Sequence, residues 1–91
     1  PLSRDFAFVV DADVAAESLV RAALGADKTL IVGAFVFDVF TGEGLPAGKK
    51  SVAIGVTLQP AERTLTEAEI EAVAGKIVAE VGRATGAVLR T

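Results

Sequence analysis

Between residues 4 and 90 the spacing of apolar side chains switches between every second position and every third or fourth, which outlines a succession of strands and helices. In Arg4–Val10, Phe6, Phe8 and Val10 alternate with Asp5, Ala7 and Val9, predicting a strand with one bulky face and one slim one. Asp11-Ala12-Asp13 ends it. Asp13 is expected to cap a helix over Val14–Leu24, with Ala16, Leu19, Val20, Ala23 and Leu24 as its apolar stripe and Gly25 as its stop. Thr29–Phe40 is apolar almost throughout, so alternation does not say which side chains face inward; the polar Asp38 predicts a bulge or a special role near the strand end. A flexible loop over Thr41–Lys50, rich in glycine and holding Pro46, separates this run from the next strand. There Val52, Ile54, Val56 and Leu58 alternate with Ser51, Ala53, Gly55, Thr57 and Gln59 until Pro60 stops the pairing.

Thr66 and Glu69 have capping-box spacing and predict a helix from that point to about Thr85. Ile70, Val73, Ala74, Ile77, Val78 and Val81 form its inner stripe, while Glu67, Glu71, Lys76, Glu80 and Arg83 face water. Gly75 in mid-helix costs about 1 kcal/mol against alanine and predicts a close backbone approach. Gly86 ends the helix, and Ala87–Arg90 reads as a short last strand. The order strand, helix, strand, strand, helix, strand, with right-handed crossovers, predicts the α+β class. Its architecture is a ferredoxin-like βαββαβ sandwich, with a four-stranded antiparallel sheet and two helices on one face. Phe6, Phe8, Val52, Ile54 and Val56 would pack under the helices, and the other sheet face, left open, calls for a partner.

The 91 residues suffice for one domain with a real core, and the absence of cysteine excludes disulfides and thiolate chemistry. Histidine is also absent, which removes a second common catalytic and metal-binding side chain. No uninterrupted apolar run approaches the roughly 20 residues of a membrane span, so a soluble chain is expected. A start at Pro1 with no signal segment suggests an excised piece of a larger chain or a processed product. Nine basic against 12 acidic residues give a net charge of -3, which argues against a nucleic-acid binder held by bulk charge. The acids concentrate on the two predicted helices, leaving the rest of the chain mildly basic.

Arg4-Asp5 opens the first strand, and Phe37-Asp38-Val39-Phe40 is followed by Gly42 and Gly44. Gly48-Lys49-Lys50-Ser51, Arg63-Thr64-Leu65 and Leu89-Arg90 come after them in order. The series resembles the ferredoxin-fold anticodon-binding domain, the family that closes the beta subunit of bacterial phenylalanyl-tRNA synthetase and also ends the mitochondrial enzyme. The resemblance spans essentially all of residues 1–91. It implies a cytoplasmic module that packs on the anticodon stem-loop of the phenylalanine tRNA, away from any membrane. Its neighbours would be the rest of the beta subunit and the alpha subunit of a heterotetramer. It further implies no catalytic residue, cofactor or metal in the domain, amino-acid activation with ATP and Mg belonging to the alpha subunit. Phe40 stands where the family usually has tyrosine, which keeps a ring and loses a hydroxyl.

The RNA-facing candidates are Arg4, Phe35, Phe37, Lys49, Lys50, Ser51, Ala53, Arg63 and Arg90. Rings stack on unpaired bases, small strand residues admit a backbone, and the bases Lys49, Lys50 and Arg63 suit phosphates. Five of them have a plainer alternative: Phe35 and Phe37 as core, the lysine pair as solvated surface, and Arg63 as a partner of Glu62 or Glu67. Asp5 and Asp38 are expected to pair with Arg4 or Arg90 rather than to act as catalytic acids. Acylphosphatases share this fold but use an arginine after the first strand and a distant asparagine. Here Asp11-Ala12-Asp13 would repel phosphate, and the chain has no asparagine. A small-molecule regulatory or assembly domain is the remaining alternative, in which the open face would meet another protein.

Overall fold

A computed structural model of the chain describes residues 2–60 and 64–90. The elements are β1 (Leu2–Asp11), α1 (Ala16–Ala26), β2 (Ile31–Phe40), β3 (Lys49–Leu58), α2 (Glu67–Thr85) and β4 (Val88–Leu89). The strands form one antiparallel sheet in the order β2-β3-β1-β4, which is the ferredoxin-like topology expected from the sequence. β1 and β3 are central and pair in unbroken register from Leu2 opposite Leu58 to Asp11 opposite Lys49. That register puts Phe6 against Ile54 and Phe8 against Val52, so the bulky residues of both strands share one face. Leu19, Val20 and Ala23 of α1 and Ile70, Val73, Ile77 and Val81 of α2 close over that face in one continuous core. Because this core is contained within the chain, the domain has what it needs to fold as a unit.

The second helix follows its sequence signals closely. Thr66 Oγ1 accepts from the Glu69 amide at 3.1 Å and the Glu69 carboxylate accepts from the Thr66 amide at 2.9 Å, completing the capping box. Gly86 ends the helix with φ of 79°, where its amide donates to the Gly82 carbonyl at 2.8 Å. Gly75, in contrast, has nothing within 4 Å of the place a Cβ would take. It borders an open cleft lined by Arg4, Phe6, Glu71 and Val78 instead of a neighbouring backbone. The tight approach in this helix occurs at Gly82, where a Cβ would lie 3.3 Å from the Ala87 carbonyl oxygen.

The first helix departs from expectation at both ends. The Val14 amide donates to the Asp11 carbonyl and the Ala12 amide to the Gly48 carbonyl, so residues 11–14 form a turn tied to the start of β3. The helix therefore starts at Ala16 with Ala15 at its N-cap and no side-chain cap, and Asp13 lies exposed before it. At the other end the helix runs through Gly25 and stops at Asp27. Ala22 takes the buried place expected of Leu24, which is 37% exposed.

Asp27 replaces a glycine cap with a carboxylate that closes the turn into β2. It accepts from the Thr29 and Leu30 amides at 3.0 Å each and from Lys76 Nζ of α2 at 3.1 Å. The Leu30 amide is the main cause holding its pKa below the ordinary 3.8; burial opposes it, and Lys76 and the Thr29 amide assist. A carboxyl whose pKa is lower folded than unfolded stabilises the fold above its unfolded value and loses that contribution as pH falls through the folded one. Asp27→Ala is accordingly expected to cost about 1 kcal/mol near neutral pH, mainly as lost backbone hydrogen bonds, since Lys76 is solvated. Thermal melts of the two proteins should begin to converge as pH falls below about 3.8, the ordinary value at which the linkage begins to fade. An unchanged gap at pH 3, well under that, would contradict it.

Candidate nucleic-acid interface

The sheet face away from the helices is slim along its two central strands. Ser3, Asp5, Ala7 and Val9 of β1 lie opposite Thr57, Gly55, Ala53 and Ser51 of β3. Alternation alone would give β2 a single parity, but the strand slips register twice against β3, between Ile31 and Gly33 and between Val36 and Asp38. The second slip leaves Phe37 without a partner and confirms the bulge predicted by Asp38. Before it Ala34 and Val36 pack toward the core and Phe35 faces Gly55 from the open side; after it Asp38 and Phe40 lie opposite Ala53 and Ser51. The bulge thereby gathers Phe35, Phe37 and Phe40 along one border, exposed by 53%, 52% and 42%. Neither Phe35 nor Phe37 belongs to the core, which takes its aromatic bulk from Phe6 and Phe8. The Phe35 and Phe37 centroids are 6.2 Å apart with the rings tilted by 53°.

Across the sheet from these rings, Arg90 donates from its amide to the Ala7 carbonyl at 2.7 Å and from Nη1 to Ser51 Oγ at 3.2 Å. The backbone bond fixes Arg90 beside β1, and the side chain spans that strand to reach β3. Ser51 is the only buried polar side chain among the described residues, and the guanidinium is what satisfies it. Val88, opposite Val9, adds a 67%-exposed apolar side chain at the β4 edge, across the sheet from the rings.

The remaining candidates are placed elsewhere. Arg4 has the parity of Leu2, Phe6 and Phe8, hence the helix side, where its Nη2 lies 3.6 Å from Glu67 Oε1 at the start of α2. Lys49 Nζ lies 2.5 Å from Asp11 Oδ1 across the β1–β3 end, whereas Lys50, opposite the buried Val10, is half-buried with helix-side parity and so lies off the open face. Arg63 falls outside the described residues. The pairing expected of Asp5 or Asp38 with Arg4 or Arg90 does not form, because those arginines turn to Glu67 and Ser51. Phe40 is the residue whose position was least legible: its place on the open face follows from the bulge, and Asp38 was the only signal for that bulge.

The structure thus brings Phe35, Phe37, Ser51, Ala53 and Arg90 onto one face and leaves Lys49 at its end, with Lys50 turned to the helix side. Exposed rings offer stacking surfaces, Ala53 leaves room for a close backbone, and the Asp5 and Asp38 carboxylates disfavour phosphate over the middle of the sheet. An occupant with planar groups over the sheet and negative charge at the rim fits this arrangement. No group of three or more His, Cys, Asp or Glu that could hold a metal occurs among the described residues. Nor is any described helix long and apolar enough to cross a membrane.

Comparison with known proteins points the same way. Residues 1–90 match the family model described as the ferredoxin-fold anticodon binding domain. The chain is 62% identical over 90 residues to the phenylalanine–tRNA ligase beta subunit of Bradyrhizobium diazoefficiens and 61% identical over 90 to that of Rhodopseudomonas palustris. It is 59% identical over 90 residues to the corresponding subunit of Paramagnetospirillum magneticum. Each alignment covers 99% of this chain and 11% of the relative, so the chain spans about a tenth of the length of these proteins.

Proposed function

As the chain belongs to the ferredoxin-fold anticodon binding domain family, we propose that it is the part of a phenylalanine–tRNA ligase beta subunit that holds the anticodon stem-loop of the phenylalanine tRNA. The observation that carries this reading is the border of half-exposed rings, Phe35, Phe37 and Phe40, facing the Arg90–Ser51 pair across a slim sheet. Unpaired loop bases stack on the rings, and the RNA backbone runs toward Arg90 and the Lys49 end of β3. The domain contributes selection of the tRNA and no chemical step; the parent assembly of beta and alpha subunits in the cytoplasm supplies aminoacylation with ATP and Mg.

Titration at low salt with a hairpin bearing that anticodon loop, against the same stem with a scrambled loop, tests the reading. Weak binding that prefers the native loop is expected, because few basic groups line the face and counterion release adds little. Equal binding of both hairpins, or of neither, rejects it. Lys49→Ala with Lys50→Ala should lower affinity for both hairpins alike and reduce the steepness of its salt dependence by about one phosphate contact or more. The melting temperature should fall by no more than a degree or two, since the exposed Lys49–Asp11 pair contributes little to folding. A large stability loss with unchanged affinity would make these lysines structural.

A further inference from the structure

The distal end of the Phe35 ring occupies the space that a side chain at residue 55 would need. A Cβ built on Gly55 would lie 2.7 Å from Phe35 Cζ, 2.9 Å from Cε1 and 3.3 Å from Cε2, all inside the roughly 3.5–4.0 Å of an ordinary carbon contact. Phe35 and Gly55 are direct cross-strand partners, and the other outward positions of β3, at Ser51, Ala53 and Thr57, carry side chains. A glycine in a strand interior ordinarily weakens the strand, and a cross-strand aromatic ring laid over it restores the lost packing. Phe35 nevertheless stays 53% exposed, with Phe37 6.2 Å away on the unpaired residue of the bulge.

We infer that Gly55 is a positioning residue for RNA: by lacking a side chain it seats Phe35 on β3, so that the outer surface of this ring, with Phe37 beside it, forms a ledge for one unpaired base. The inference rests on the anticodon-loop reading above and adds to it the residue that fixes the ledge. Any side chain at residue 55 displaces the ring, and because Phe35 is half in solvent it swings outward instead of disrupting the core. Gly55→Ala is therefore a change in where a base can stack more than a change in the fold.

The test is a set of titrations of the anticodon hairpin into the chain as it stands and into Gly55→Ala, Phe35→Ala and the double variant, each checked by thermal melting. Gly55→Ala is expected to weaken binding about tenfold, in the range of one lost stacking contact, with Phe35→Ala comparable and the double variant no weaker than Phe35→Ala alone. Phe35→Leu combined with Gly55→Ala relieves the crowding, so it should recover any lost melting temperature without recovering affinity. In the unsubstituted chain the Gly55 α-protons should show an upfield ring-current shift that Phe35→Ala abolishes. Wild-type affinity in Gly55→Ala alongside weak binding by Phe35→Ala overturns the positioning role. So do losses that add in the double variant, or an absent ring-current shift. Wild-type affinity in Phe35→Ala instead overturns the stacking assignment of that ring, which is a failure of the underlying reading and is distinguishable from the others.

Discussion

Phe8→Ala is expected to remove a large share of the domain's folding free energy. Phe8 is fully buried on a central strand, opposite Val52 on β3 and Leu89 on β4, so its ring touches the core from the middle of the sheet. Truncating a buried phenylalanine costs about 3–5 kcal/mol through lost transfer energy and the cavity left behind. A domain of this length has only about 5–14 kcal/mol in total. The urea midpoint should fall accordingly, and far further than in Phe37→Ala, whose ring is 52% exposed and absent from the core. Equal shifts in the two variants would mean that the core and open faces have been assigned to the wrong rings.

Removing both open-face rings, Phe35→Ala with Phe37→Ala, has the opposite profile. Base–aromatic stacking is worth about 1–3 kcal/mol per base, and about 1.4 kcal/mol is tenfold in affinity, so binding of the anticodon hairpin should fall by roughly tenfold or more. The fold should hold, because the buried faces of β1 and β3 and the stripes of both helices are untouched. Losing the cover over Gly55 accounts for the modest drop in melting temperature that is expected. Hairpin affinity within twofold of the unsubstituted chain, a level this estimate excludes, would remove the rings from the interface. Phosphate contacts at Arg90 and the lysines would then have to carry the binding by themselves.

These phenylalanines have similar sequence contexts, and the contrast between them shows what a sequence can convey. Phe6 and Phe8 alternate with Asp5 and Ala7, and Val52, Ile54 and Val56 alternate with Ser51, Ala53 and Gly55, so a two-residue period written in side-chain size assigns their faces from the chain alone. Thr66, Glu69 and Gly86 fixed both ends of α2 by local hydrogen bonding, which depends on a few neighbouring residues only. At α1 the same local reasoning placed the cap at Asp13, and the long-range bond from Ala12 to Gly48 won over it by holding residues 11–14 in a turn. Arg4 and Arg90 both looked RNA-facing; strand parity turned the first to Glu67, while the second reached Ser51 from the far edge.

Periodicity, capping and motif order, each carried within short stretches of chain, were enough to specify the order of elements, the ferredoxin-like sheet, the inner faces of β1, β3 and α2, and the family. The content of the open face came from strand pairing instead. β2 is apolar on both sides, so no pattern within it could say which rings were out; that depended on where its hydrogen-bond ladder with β3 slipped, at Phe37. A bulge is a property of two paired strands, and the seat of Phe35 on Gly55 is likewise a contact between residues 20 positions apart in the chain, brought together by that pairing.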